Sequence, residues 1–91
     1  MKWHINSIGQ FYDCDEDMVV YFDPASGDTH LISDFAAYLI QRIAGRDRPV
    51  ENEELIKLIT GDIEPAELSE LAQAIPGILS ELATLDIVAP D

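Results

Sequence analysis

The acidic run Asp13-x-Asp15-x-Asp17 places carboxylates at alternate positions, the spacing with which a calcium loop opens. The remainder of such a loop is missing, because Met18 stands where the sharp turn needs glycine and Pro24 where a bidentate glutamate belongs. The run therefore reads as a solvated turn. His4, Cys14 and His30 supply soft ligands, but their spacing matches no zinc motif. Cys14 is the sole cysteine, so an intrachain disulfide is impossible. The five glycines are scattered at turns rather than gathered into a phosphate-binding loop, and no Gly-x-Ser-x-Gly elbow occurs. Acid pairs such as Glu53-Glu54 belong to solvated helix faces unless a pocket shifts one pKa, which no sequence displays. With no constellation for nucleophilic, acid–base or metal chemistry, the expectation is a protein that is not an enzyme and uses no metal and no cofactor.

Composition narrows what remains. Ninety-one residues, 47% of them apolar, suit one folded domain spanning 1–91. Eighteen acidic against five basic residues leave a formal charge of −13, which repels nucleic acid and anionic membrane surfaces and favours protein or peptide partners. The apolar runs are too short to span a bilayer, and Met1 to Gln10 lacks the apolar centre of a signal peptide, so a cytoplasmic location is expected.

The elements that position any site follow from pattern. Met18 to Phe22 and Thr29 to Ile32 are β-rich runs. Asp23-Pro24 suits the start of a type I turn between them, and Gly27 supplies its positive-φ position. Gln10 to Asp13 forms a further strand before the acidic turn Cys14 to Asp17, and Lys2 to Asn6 reads as an edge strand with Trp3 and Ile5 on one face and His4 on the other. Ser33 fits an N-cap, the stripe Phe35, Leu39, Ile43 defines a helix, and Gly45 offers a left-handed cap after Arg42. Asn52 is expected to cap a short helix from Glu53 to Ile59 that ends at Gly61. Pro65 opens another helix. Leu68, Leu71, Ile75, Ile78, Leu79, Leu82 and Leu85 form its stripe, interrupted by Pro76. The interior proline predicts a kink or break near Ile75 and a last helix from Pro76 to Thr84. Asp86 to Asp91 is a tail on which Ile87 and Val88 pack down. The fold class is α+β: a small antiparallel β-meander followed by three or four helices, in a winged-helix-like arrangement.

In a meander the last strand keeps one side unpaired. Thr29-His30-Leu31-Ile32 contains neither the lysine nor the proline with which natural edges are blunted. Such an edge is either covered by a tail, a helix or a homodimer mate, or it accepts an added strand from a peptide. His30 is expected to project from the hairpin into solvent or onto its partner.

The string VVYFDPASGDTHLIS followed by an Ala-Ala helix resembles the small PqqD-like peptide chaperones, or precursor-peptide recognition elements. More narrowly it resembles the branch associated with a relative of HPr kinase, with SGDTHLIS as the specific segment. The resemblance implies a leader peptide that pairs with the third meander strand and lies between it and the last helix. On this chain the implied peptide-binding residues are Thr29, His30, Leu31 and Ile32, with Ile78, Leu79 and Leu82 as the helix wall. The Tyr38 hydroxyl is a further group within possible reach of a peptide.

The first functional reading is a non-enzymatic chaperone that captures a precursor peptide by β-augmentation and presents it to a modifying enzyme or HPr-kinase-related protein. In that reading His30→Pro keeps the fold and abolishes capture, provided the His30 N–H faces outward. The alternative is a structural or regulatory subunit whose edge is covered by a protein partner or a second copy in a homodimer. A winged-helix nucleic-acid binder is disfavoured by charge, since the first helix offers only Arg42 and no Lys or Arg follows Glu64.

Overall fold

The computed structural model describes residues 2–5, 8–24 and 26–90, without the side chains of Cys14 and Asp15. The element order is β1 (Lys2–His4), β2 (Gln10–Asp15), β3 (Met18–Asp23), β4 (Asp28–Ser33), α1 (Asp34–Ala44), β5 (Val50–Glu51), α2 (Asn52–Thr60), α3 (Pro65–Thr84) and β6 (Ala89–Pro90). Among the described residues two three-stranded antiparallel sheets result, ordered β2-β3-β4 and β5-β1-β6. The architecture is mixed α+β, as the order of patterns predicts.

The β3–β4 hairpin closes as its residues require. Gly27 has φ 77° and donates its N–H to the Asp23 carbonyl at 2.8 Å, while the Ser26 hydroxyl donates to the buried Asp23 carboxylate at 3.2 Å. Ser33 caps α1 by accepting the Ala36 N–H at 3.1 Å. The buried face of α1 is Ala36, Ala37, Leu39, Ile40 and Ile43, with Phe35 half-buried at its side.

Several boundaries differ from the sequence reading. β1 is the central strand of its sheet rather than an edge, and Asn6 lies outside the described residues. Its partners β5 and β6 are two residues each, too short to leave a periodic signal. Asn52 does not cap α2, which starts one residue earlier than expected after Glu51. Its side chain instead accepts the Trp3 indole N–H at 2.6 Å, tying α2 to β1. Gly45 and Gly61 follow their helices with φ −73° and −78°, so neither is a left-handed cap.

Pro76 does not break α3, which runs unbroken from Pro65 to Thr84. It lies on the exposed side, while Ile75, Leu79 and Leu82 stay in phase against the core and hold the two turns together. The helix ends in a left-handed Asp86 at φ 62°, whose N–H reaches the Ala83 carbonyl at 3.0 Å, while the Ile87 N–H reaches Leu82 at 2.9 Å. This pair of bonds is a Schellman cap, and it turns Ile87 and Val88 into the core. One hydrophobic cluster joins Trp3, Tyr21, Ile32, Leu39, Ile40, Val50, Leu55, Ile59, Ile75, Leu79 and Val88. No helix among the described residues is long and apolar enough to cross a membrane.

Candidate functional site

β4 lies at an edge of the meander, and its pairing with β3 runs without a bulge from Met18↔Ser33 to Asp23↔Asp28. The opposite edge, β2, shifts register between Asp13 and Asp15, a bulge of the kind that blunts edges. The smooth edge is therefore β4.

Which backbone groups β4 presents follows from one hydrogen bond. The Asp34 N–H donates to the Asp17 carbonyl at 3.0 Å, one step beyond the Met18↔Ser33 pair. Bonded and non-bonded pairs alternate in an antiparallel ladder. Val19↔Ile32, Tyr21↔His30 and Asp23↔Asp28 are thus the bonded pairs, and the N–H and C=O groups of Thr29 and Leu31 point away from β3. The His30 N–H faces inward, so the condition attached to His30→Pro fails, and the donors available to an added strand belong to Thr29, Leu31 and, at the end of the strand, Ser33.

Side chains divide the same way. Tyr21, His30, Val19 and Ile32 stand on the inner face. Ile32 is buried there and His30 half-buried opposite Tyr21, rather than projecting into solvent. Leu31 stands on the outer face in one cross-strand row with Val20 and Tyr12, and is 60% exposed.

Along this edge runs a cleft of about 240 Å³, lined by Met18, Leu31, Ile32, Ser33, Ala36, Ile78, Glu81, Leu82 and Leu85. Its helical wall comes from positions 78, 81 and 82 of α3 and from its C-cap Leu85, one face at i, i+3, i+4, i+7. The cleft brings together Leu31, Ile32, Ile78 and Leu82. Thr29 sits further along the same edge, exposed. Leu79 does not join them: one residue on from Ile78, it is turned by a helical step into the core, where it is fully buried. Met18, Ser33, Ala36, Glu81 and Leu85 are lining residues that the sequence reading does not name in this role; Glu81 and Leu85 carry a signal in their helical spacing from Ile78.

A second cleft, of about 560 Å³, opens between α1 and the start of α3. Phe35, Tyr38, Ile63 and Leu71 give it an apolar lining, and Asp34, Asp62, Glu64 and Glu67 give it negative charge. The Tyr38 ring stacks on Phe35 at 6.1 Å, and its hydroxyl donates to Asp62 at 2.7 Å. Burial, reinforced by Asp62, pushes the Tyr38 hydroxyl above its ordinary pKa.

A third cleft, about 500 Å³, is lined by His4, Ile5, Ile8, Ile43, Ala44, Arg46, Asp47, Arg48 and Pro49. Arg46 and Arg48 both reach Glu54, at 2.9 and 2.6 Å. The Arg48 hydrogen bond holds the Glu54 carboxyl below the usual carboxylate range. Among the described residues no group of three or more His, Cys, Asp or Glu gathers as a metal cluster. The Cys14 and Asp15 side chains, named above for metal chemistry, lie outside those residues.

The chain matches no protein-family model, no curated protein and no solved structure.

Proposed function

We propose that this protein is a non-enzymatic, cytoplasmic peptide chaperone of the PqqD-like kind. Its β4 edge captures a leader segment of a precursor peptide by strand addition, and the loaded chain is presented to a modifying enzyme or HPr-kinase-related partner. The observation that carries the reading is the coincidence of two features on one cleft. A smooth strand edge offers outward donors and acceptors at Thr29 and Leu31, and beside it stands an apolar wall of Ile78, Leu82 and Leu85. Main-chain bonds supply affinity in such an arrangement, and the wall selects side chains.

A second copy of the chain would also complete the unpaired edge. The two readings part in a pull-down from the native cell lysate that compares wild type with folded Leu31→Pro and identifies retained chains by mass spectrometry. Capture predicts a short ribosomal peptide held by wild type and lost from the variant. A stable homodimer with no peptide, monomeric only in the variant, would replace chaperone with self-pairing subunit.

A further inference from the structure

The strand cleft and the acidic cleft are neighbours. Ser33 and Ala36 line the first, Asp34 and Phe35 the second, so the junction of β4 and α1 is a wall common to both. The helix α3 with its two caps, Glu64 and Leu85, lines the opposite side of both, from Leu85 to Ile78 in the first cleft and from Leu71 to Glu64 in the second. Those two stretches are centred about 14 helical positions apart, or about 21 Å at ~1.5 Å per residue. Extended chain covers that span in roughly six residues at ~3.3 Å each.

We infer that the captured peptide continues from the strand cleft into the acidic cleft, which reads a basic residue about six positions N-terminal to the middle of the paired segment. This rests on the strand-capture reading and adds the ligand's class: an apolar strand preceded by arginine or lysine. The polarity takes the commoner, antiparallel sense of pairing as its premise. A peptide antiparallel to β4 runs from its Ser33 end toward its Asp28 end, so the peptide's N-terminal flank passes over Asp34 and Phe35.

Charge supports the occupant. Asp34, Glu64 and Glu67 form no ion pair among the described residues, whereas Asp62 already faces Arg42 at 3.8 Å. The apolar lining of Phe35, Ile63 and Leu71 suits the methylene stem of a long basic side chain whose head reaches the acids.

The test uses the whole chain and three labelled synthetic peptides, read by fluorescence anisotropy at low salt. Each carries the same strand of alternating valine and serine. One has an arginine pair about six residues before the middle of that strand, one has the pair about six residues after its middle, and one has none. The N-terminal pair should bind roughly tenfold more tightly than the C-terminal pair, which measures the general pull of an acidic protein. The double variant Glu64→Gln/Glu67→Gln should abolish that difference and leave the arginine-free peptide unaffected. Glu51→Gln/Glu53→Gln, removing equal charge from the start of α2, should preserve it. Equal affinity for the two arginine peptides, or a difference that survives Glu64→Gln/Glu67→Gln, overturns the inference while leaving strand capture standing. Failure of the arginine-free strand to bind at all overturns strand capture, and the inference with it.

Discussion

Substituting proline along β4 separates binding from folding residue by residue. Leu31→Pro removes an N–H that points away from β3, so no ladder bond is lost, and proline is tolerated at such edge positions. An added strand loses one hydrogen bond and is left with an unsatisfied carbonyl in a partly desolvated cleft, about 1–3 kcal/mol. That is roughly a five- to 150-fold weaker Kd for the alternating valine–serine strand. Leu31→Ala is the control, because it keeps the N–H while trimming a side chain that is 60% exposed, and it should weaken binding by less than about fivefold. His30→Pro has the opposite signature. Its N–H is directed to the Tyr21 carbonyl, so the variant breaks the β3–β4 ladder and should lower the melting temperature by about 4 °C or more. Anisotropy titrations with calorimetric melts of all three variants measure both axes. Equal binding by Leu31→Pro and Leu31→Ala would show that the edge is not the capture surface. A His30→Pro variant as stable as wild type would refute the ladder alternation itself.

Three further outcomes follow from the packing. Gly9→Ala should destabilise the protein by several kcal/mol in urea denaturation, since an added Cβ would stand 1.9 Å from the Phe22 carbonyl oxygen and 2.9 Å from the Tyr21 ring. Asn52→Ala should cost about 1–3 kcal/mol by leaving the Trp3 indole N–H without its acceptor, and the loss should be much smaller in a Trp3→Phe background. Burial pushes the Tyr21 hydroxyl above its ordinary pKa, against the lowering effect of the Gly9 N–H that donates to it at 2.7 Å. An acid whose folded pKa is raised contributes its stability fully below the unfolded value near ~10 and loses it as pH rises through the folded value. Urea midpoints should therefore fall above about pH 10, and Tyr21→Phe should remove part of that fall, with Tyr38 holding another part.

The parts of the fold written in local chemistry were legible. Gly27, Ser33 and Pro65 act where their turn, cap and first-turn preferences put them. The misread parts depended on residues distant in sequence. β1 is central only because Val50 and Pro90 come to either side of Trp3, and Asn52 abandons capping because Trp3 needs an acceptor. Pro76 leaves the helix unbroken, because packing on both sides of it outweighs the lost bond. Within the site, the strand and the helix wall were named from the resemblance. The choice of Leu31 over His30 required the ladder's phase, which shifts with a single residue of register, and Leu79 was separated from Ile78 only by its orientation. The acidic cleft was foreshadowed only by net charge and by Tyr38, because Ile63 and Leu71 reach Phe35 through tertiary folding.

The two sheets have different histories on the ribosome. The meander and the helix it feeds use consecutive residues, Gln10 to Ala44, so each loop closes over a short span as the chain emerges. The small sheet cannot close until Ala89 and Pro90 have left the exit tunnel to meet Trp3 and His4. The nascent chain thus acquires the β4 edge before the α3 wall beside it. In the interval the edge stands without the apolar wall beside it, open to misassembly between neighbouring chains on a polysome, and the emerged segment up to Ala44, with seven acidic residues against Lys2 and Arg42, carries a negative charge that opposes such contacts.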